Sequence, residues 1–357
     1  MKISVNSTFS YITFYLNYGS ALQCYALQKV LRERGHETSL LRDYRANPIF
    51  ILKRLKNIRY PKAFMQKVKA QIALQSFIWK NIPLSKRAYF SYGALVKHCP
   101  DAHCHIAGSD QIWHNANNFR YLTYVPDDKL KLSYAASFGR SQIEQEQLEI
   151  IKPYLTRFDG IAVRESSAVE IINSMGLDAE WVLDPTLLLD CDQYPAEDIE
   201  KHDFCYGYFL NLEDRSDIPF EQIQEFCDET GREMLLTAPL NYSMFRKDNH
   251  LFPTVEEWLG YYKAADYIFT NTYHGMLFCI IFKKQFLLFR QKGSTDRENE
   301  RFDSLLKHFN LTDRVYTGKG IREIREKMQD PIDYEEVYTM IRKARSETEC
   351  FFEKFGI

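Results

Sequence analysis

Residues 2–42 read KISVNSTFSYITFYLNYGSALQCYALQKVLRERGHETSLLR, and this stretch decides the fold class. Lys2–Phe14 is rich in β-forming residues, Asn17–Ser20 is typical of a turn, and Ala21–Arg34 has the apolar spacing of a helix. Thr38–Arg42 then predicts a second strand. A strand, a helix and another strand in this order indicate the start of a parallel α/β sheet.

The same alternation continues along the chain and predicts two Rossmann-like domains. At 357 residues the chain is too long for one ordinary core. A polar, proline-containing stretch near residues 190–203 marks the boundary, so we expect an N-terminal domain over 1–195 and a C-terminal domain over 196–332. Residues 48–98 are expected to be a helical insertion in the first domain. Residues 333–357 predict a charged helix that either packs back on the first domain or stays solvated.

Composition indicates an ordinary globular protein, with 45% hydrophobic and 26% charged residues. No apolar run approaches the roughly 20 residues of a membrane span, and the N-terminus lacks the apolar region of a signal peptide, so we expect a cytoplasmic protein. The eight cysteines are scattered without a CxxC pair, which favours reduced thiols. His103 and His105 alternate with Cys104 along a predicted strand, which favours packing over a metal site.

Charge is distributed unevenly along the chain. The net charge of −2 gives no support for nucleic-acid binding. Between Tyr44 and Pro100, however, there are twelve lysines and arginines and no acidic residue. This segment is either a solvated part of the first domain or a docking surface for an anionic membrane at its inner face.

Polar residues follow several predicted strands at the point where each strand ends. In parallel α/β sheets these ends line the ligand-binding crevice, so we expect the loops to face one cleft. The loops are Asn17–Ser20, Gly108–Gln111, Ser137–Arg140, Arg164–Glu165 and Thr270–His274.

Three of these residues suit an anionic ligand. Thr272 would cap a helix whose N-terminus attracts an anion, and His274 in its first turn would contact phosphate or transfer a proton. Arg164 suits bidentate recognition of carboxylate or phosphate. The alternatives are a plain helix cap, a surface histidine, and an ion pair between Arg164 and Glu165.

Taken in order, these motifs resemble the polysaccharide pyruvyl transferase family. The matching stretches are Asn17–Gln28, Gly108–Trp113, Ser133–Gly139, Val163–Glu165, Leu183–Thr186 and Thr270–Gly275. The resemblance implies a GT-B-like α/β fold, in which two Rossmann-like domains with parallel sheets face an interdomain cleft. It also implies phosphoenolpyruvate as co-substrate. No further cofactor is expected, and nothing in the sequence supports a metal. The product would be a pyruvate ketal across two hydroxyls of a sugar in a capsule, another exopolysaccharide or its lipid-pyrophosphate-linked precursor.

The resemblance also implies roles for particular residues. The expected contacts to phosphoenolpyruvate are Arg164, Thr272, Tyr273, His274 and one further basic residue among Arg290, Arg297 and Arg301, of which Arg301 is favoured. The expected catalytic groups are His274 as general acid and either Asp110 or Glu165 as general base. The expected contacts to the sugar acceptor are Asn17, Tyr18, Gly19, Ser109, Asp110 and Gln111. Many members carry Arg-Leu-His where this chain has Thr272-Tyr273-His274, which leaves one donor contact open.

Two other functions fit the same architecture, because a fold does not determine chemistry. One is a GT-B glycosyltransferase that uses a nucleotide-sugar. The other is a carbohydrate-binding protein, which would bind a ligand without turnover.

Overall fold

The computed structural model describes residues 1–8, 16–44, 61–116, 118–245, 249–293 and 299–357, and these ranges form two α/β units. The first unit contains β1 (Lys2–Asn6), α1 (Tyr18–Glu33), β2 (Glu37–Asp43), α2 (Pro61–Asn81), β3 (Leu84–Tyr89), α3 (Tyr92–Lys97), β4 (Cys104–Asp110), β5 (Leu130–Ala136), α4 (Gln145–Leu155), β6 (Gly160–Val163), α5 (Ser166–Ser174) and β7 (Glu180–Trp181). The second unit contains β8 (Phe204–Tyr208), α6 (Phe220–Glu229), β9 (Glu233–Thr237), β10 (Asn249–His250), α7 (Val255–Ala264), β11 (Tyr267–Thr270), α8 (Tyr273–Ile281), β12 (Gln285–Leu288), α9 (Glu300–His308) and α10 (Ile321–Gln329), and α11 (Tyr334–Lys354) follows it.

The sheet of the first unit is parallel, and its described strands have the order β3-β2-β1-β4-β5-β6-β7. Strand β4 is buried along its whole length, as expected where helices cover both faces of a parallel sheet. From β1 the chain continues to β2 and β3 at one edge of the sheet. It then crosses to β4 on the other side of β1 and continues to β7 at the opposite edge. A crevice forms at such a switch point, at the carboxyl ends of the strands, where Asn6 and Asp110 lie.

The second unit repeats this arrangement with a smaller parallel sheet, in which the described strands have the order β10-β9-β8-β11-β12. Its switch point lies between β8 and β11. Helix α7 begins with the predicted capping box, because Thr254 accepts a hydrogen bond from the Glu257 N–H and Glu257 accepts one from the Thr254 N–H.

Helix α1 begins three residues earlier than the sequence pattern predicted. The side chain of Asn17 accepts a hydrogen bond from the N–H of Ser20 at 3.2 Å, which caps the helix and makes Tyr18 its first residue. The predicted turn over 17–20 is therefore a helix start. Strand β1 ends at Asn6, and residues 9–14 of the predicted strand lie outside the described ranges.

The basic segment contributes to the central sheet and is not an insertion. Residues 45–60 lie outside the described ranges, but helix α2 carries the chain back to β3, which pairs in parallel with β2. A helix that connects two adjacent parallel strands is the ordinary crossover of such a sheet. The helix predicted at residues 63–79 is confirmed within α2.

Tyr18 lies where the two units meet. Its ring is fully buried and stacks on Trp258 of the second unit with 5.3 Å between ring centroids. Its hydroxyl donates to the carbonyl oxygen of Pro253 at 2.6 Å. Tyr18 therefore fixes the contact between the units and is too buried for the acceptor contact expected from the sequence.

Helix α11 contacts both units. Near its start, the Tyr338 hydroxyl donates to the carbonyl oxygen of Ile281 in the second unit at 2.9 Å. Further along, Arg345 donates to the carbonyl oxygen of Leu187, and Phe352 stacks on Tyr134 of the first unit at 4.9 Å. Within the described ranges, no helix combines the length and apolar character needed to cross a membrane.

Candidate active site

A cavity of about 250 Å³ lies between the two units at the carboxyl ends of their strands. The first unit contributes side chains that follow β1 and β4, and the second unit contributes side chains that follow β8, β11 and β12. The lining residues are Asn17, Asp110, Gln111, His114, Tyr208, Leu210, Asn211, Thr272, Tyr273, His274, Gln291 and Arg301. Most of these side chains are polar, so the cavity suits a small hydrophilic ligand.

The N-terminus of α8 forms one wall of the cavity. Thr272 caps this helix, since its hydroxyl accepts a hydrogen bond from the Gly275 N–H at 2.9 Å. Thr272 is itself held by the hydroxyl of Thr270 at 3.1 Å. The first N–H groups of an α-helix have no partner inside the helix, and the positive end of the helix dipole lies there. This wall therefore favours an anion.

Arg301 and His274 bring basic side chains to the cavity wall. Arg301 lies in the first turn of α9 and is buried. The ring of Tyr273 contacts two guanidinium groups, with its centroid 4.3 Å from Arg164 and 5.8 Å from Arg301. Tyr273 thus interacts both with a cation that lines the cavity and with a fully buried one.

Arg164 lies beneath the cavity in a fully buried ion cluster. Its guanidinium donates to Glu165 at 2.8 Å, to Asp184 at 3.1 Å and to Asp110 at 3.2 Å. Burial alone would lower the pKa of Arg164, but Glu165 and the other carboxylates hold it well above its usual value. A direct contact with a ligand would require one of these carboxylates to move. The expected ligand clamp is therefore the centre of a structural cluster.

Two carboxylates of the cluster stay ionised because of their cationic neighbours. Burial would raise the pKa of Asp110, yet Arg164, followed by His274 and Arg301, holds it below its usual value. Burial would likewise raise the pKa of Asp184, and His274 and Arg164 lower it. Asp184 also accepts hydrogen bonds from the backbone N–H and the hydroxyl of Thr186.

His274 is placed between Asp184 and the cavity. Its Nε2 lies 3.7 Å from Oδ2 of Asp184, beyond hydrogen-bond distance, and this buried nitrogen has no hydrogen-bond partner. Gly19 packs against the other side of the ring, where an added Cβ would lie closer than 3.0 Å to Cβ, Cγ and Nδ1 of His274. Gly19 therefore supports the ring on one side, and Nε2 lies near the Asp184 carboxylate.

The cavity brings together seven of the residues singled out in the sequence, namely Asn17, Asp110, Gln111, Thr272, Tyr273, His274 and Arg301. Glu165 lies with Arg164 beneath it, so Asp110 is the better placed of the two candidate bases. Ser109 is fully buried and donates to Gln23, and Gly19 contacts His274, so neither reaches the cavity as expected.

The three basic residues proposed as the third contact to phosphoenolpyruvate differ in their position relative to the cavity. Arg301 lines the cavity, whereas Arg290 lies outside it and pairs with Asp303 through two hydrogen bonds on a half-exposed surface. Arg297 lies outside the described residues.

Asp184 and several of the lining residues were not assigned a role from the sequence. Asp184 belongs to the quoted Leu183–Thr186 stretch, and its position after a short strand and before a proline is the signal that could have identified it. His114, Tyr208, Asn211 and Gln291 come from loops or strand ends without a recognisable motif. The side-chain amides of Gln111 and Gln291 each have one buried polar atom without a hydrogen-bond partner, and both residues line the cavity.

The residues considered for metal binding do not form a centre. His105 is fully buried and lies edge-on to Tyr124 at 6.3 Å, while His103 accepts a hydrogen bond from the backbone of Lys2. Over the part of the chain that the structure describes, no group of three or more histidine, cysteine or acidic side chains is placed to hold a metal ion.

The two-unit fold recurs in solved structures of low sequence identity. The UDP-bound MnaA of S. aureus aligns with a TM-score of 0.54 at 13% identity over 96% of this chain and 91% of that chain. A putative UDP-N-acetylglucosamine 2-epimerase from Listeria monocytogenes gives 0.58 at 11% identity over 96% and 91%. The Neisseria meningitidis UDP-GlcNAc 2-epimerase bound to UDP-GlcNAc gives 0.54 at 10% identity over 99% and 100%. At these identities the likeness defines the fold, which is the expected GT-B type.

The sequence assigns the chain more specifically than the fold does. The sequence profile described as polysaccharide pyruvyl transferase matches residues 17–293, which include most of the cavity residues. The chain therefore belongs to the polysaccharide pyruvyl transferase family. No curated protein matches the sequence.

Proposed function

We propose that this protein transfers the enolpyruvyl group of phosphoenolpyruvate to two hydroxyls of a sugar and so forms a pyruvate ketal. The observation that carries the proposal is one cavity wall, in which the N-terminus of α8, His274 and Arg301 converge on a space of about 250 Å³. Typical pockets for drug-sized ligands hold about 300–1,000 Å³, so this space suits a small anion better than a complete nucleotide-sugar.

Phosphoenolpyruvate carries a phosphate and a carboxylate, and the cavity has two groups of donors for them. The N–H groups at the start of α8 suit one anionic group, as helix N-termini generally do. Arg301 suits the other, because a guanidinium donates two parallel hydrogen bonds to a carboxylate or phosphate. Arg164 acts indirectly, through Tyr273 and the carboxylates that it holds in place.

The reaction adds a proton to C3 of phosphoenolpyruvate and places positive character on C2. One sugar hydroxyl then adds to C2 and its proton returns to His274, the C2–O bond to phosphate breaks, and the second hydroxyl closes the ketal as its proton passes to the departing phosphate. His274 is the general acid, because its ring lies against the cavity and an imidazole can exchange a proton near neutral pH. Phosphoenolpyruvate supplies all the carbon of the ketal bridge, so the proposed reaction needs no cofactor.

Asp110 contacts the first sugar hydroxyl. It lines the cavity, whereas Glu165 does not. Since its pKa lies below the usual value, Asp110 stays ionised, accepts the hydrogen bond of the hydroxyl and stabilises the positive character at C2. Gln111 and Gln291 then hold the remaining sugar hydroxyls through their unpaired amide atoms. The acceptor is a sugar of a cell-surface polysaccharide or of its lipid-pyrophosphate-linked precursor.

Thermal unfolding with and without millimolar phosphoenolpyruvate tests the donor site. Ligand that binds the native state raises the unfolding midpoint, so we expect a rise for the wild type and none for Arg301→Ala. Arg290→Ala is the matched control, because Arg290 lies outside the cavity and should leave the rise intact. A rise with UDP-sugars and none with phosphoenolpyruvate would instead identify a glycosyltransferase.

Phosphate release tests turnover. With phosphoenolpyruvate and a sugar acceptor, we expect release by the wild type and a loss of about 10²-fold or more in a folded His274→Ala variant. Full activity of this variant would remove His274 from the mechanism. If the wild type binds phosphoenolpyruvate and the sugar but releases no phosphate, the result would indicate a carbohydrate-binding protein without turnover.

A further inference from the structure

Helix α2 presents large apolar side chains to solvent. Met65, Ile72 and Trp79 are 54%, 64% and 55% exposed, and their spacing of seven residues places them along one side of the helix. The opposite side packs into the first unit through residues such as Leu74 and Phe77. Exposed apolar residues that occur singly are ordinary, but an aligned row of them marks an interaction surface.

The same helix face is basic. Lys62, Lys69 and Lys80 are exposed, and within the described ranges none of the three forms an ion pair. The surrounding sequence from Tyr44 to Pro100 contains no aspartate or glutamate that could neutralise them. We call Met65, Ile72, Trp79 and these three lysines the α2 face.

A neighbouring aromatic side chain extends the α2 face towards the edge of the sheet. Phe90, just after β3, is 71% exposed and stacks on Tyr44 at 5.4 Å. Arg42 lies over the ring of Trp79 at 5.8 Å. Because Arg42 and Tyr44 are two residues apart on extended chain, they point to the same side, so Trp79 and Phe90 lie on one surface.

The spacing of the apolar residues does not suit a second helix. A helix–helix seam needs apolar residues at both the a and d positions of each heptad. On α2, the residues four positions after Met65 and Ile72 are Lys69 and Ser76, and those three positions after them are Val68 and Gln75, so neither register gives a continuous apolar seam. Isolated apolar side chains separated by lysines are instead typical of a helix that lies in a lipid headgroup region, where lysine stems extend to the phosphates.

We propose that the α2 face docks on the surface of an anionic lipid bilayer. Met65, Ile72, Trp79 and Phe90 enter the headgroup region, and Lys62, Lys69 and Lys80 pair with lipid phosphates. This inference stands on the exposed surface and is independent of the reaction proposed above. If the acceptor is lipid-linked, docking places the enzyme on the surface that carries it.

Vesicle sedimentation tests the proposal with the full chain. We expect binding to vesicles that contain phosphatidylglycerol, little binding to pure phosphatidylcholine, and loss of binding as salt rises. Ile72→Ser with Trp79→Ser, and separately Lys62→Gln with Lys69→Gln and Lys80→Gln, should each weaken binding about tenfold or more. The matched control is Ile150→Ser with Lys152→Gln on α4, which also changes an exposed isoleucine and a lysine but should bind as the wild type does.

Tryptophan fluorescence gives a second readout. Of the four tryptophans, Trp79 is the exposed one, whereas Trp113 and Trp258 are fully buried and Trp181 is partly buried. Anionic vesicles should shift the wild-type emission to the blue, and the shift should vanish in a Trp79→Phe variant. The proposal is overturned if the wild type does not bind anionic vesicles, or if the control variant loses as much binding as the α2 variants do. It is also overturned if Trp79→Ser abolishes a dimer in solution, since the face would then contact a second copy.

Discussion

Replacement of Arg164 by methionine should destabilise the protein strongly. The guanidinium is fully buried and donates to three carboxylates at 2.8–3.2 Å, so its removal leaves Asp110, Glu165 and Asp184 without their shared cation. Removal of one partner from a buried ion pair costs about 3–5 kcal/mol, and with three partners we expect about 5 kcal/mol. That is a large share of the roughly 5–15 kcal/mol by which folded proteins are stable.

The loss should depend on pH in a defined direction. In the wild type the pKa values of Asp110 and Asp184 are lowered, so their stabilising contribution is present above the unfolded-state pKa and is lost only as pH falls through the lower folded-state value. Without Arg164, burial raises these pKa values, and the carboxyl groups take up protons as pH falls. The difference between variant and wild type should therefore be larger at about pH 7 than at about pH 5.

Urea unfolding followed by tryptophan fluorescence at both pH values measures this difference. Arg322→Met is the matched control, because Arg322 pairs with Glu326 on an exposed helix surface and its loss should leave stability close to that of the wild type. If Arg164→Met keeps wild-type stability at neutral pH but loses the response to phosphoenolpyruvate, the reasoning is wrong. Arg164 is then a ligand clamp, as the sequence suggested.

Three further predictions concern single positions. Gly19→Ala should reduce phosphate release at least about tenfold and destabilise by about 1–3 kcal/mol, because its Cβ collides with His274, whereas Gly93→Ala has open space and should do neither. Asp184→Asn should lower phosphate release about 10²-fold, with donor binding retained by the thermal-shift assay, because the carboxylate beside His274 is lost. Burial lowers the pKa of His105 to about 4. As pH falls from about 6.5 to about 4, the histidine therefore takes up a proton in the unfolded state but not in the folded state, and the free energy of unfolding decreases. His105→Leu should flatten this dependence in urea unfolding; an unchanged slope would contradict it.

The sequence was sufficient for features that depend on local patterns. The β1–α1–β2 unit, the capping box of α7 and the cap of α8 all follow from residue types at fixed spacing, and the structure contains them. Boundaries were less accurate where one side chain decides them, as at Asn17. Residues 48–98 were misinterpreted as an insertion because nothing local to β3 shows that it pairs with β2.

The site was predictable to the extent that strand ends converge. Asp110, Thr272 and His274 all follow strands, so their meeting follows from the topology of parallel sheets. Burial could not be predicted in the same way. An arginine at a strand end has the same sequence signature whether it faces a ligand or three carboxylates, and only the packing of Asp184 beneath it distinguishes the two.

The path of α11 has a consequence for the order of folding during synthesis. Nascent chains generally fold their N-terminal domain while the rest is still being made. Here two residues of the first unit have their partners on α11: Tyr134 stacks on Phe352, and Arg34 pairs with Glu349. Helix α11 is translated after the whole second unit. We therefore expect the surface around Tyr134 to stay uncovered until α11 has been translated.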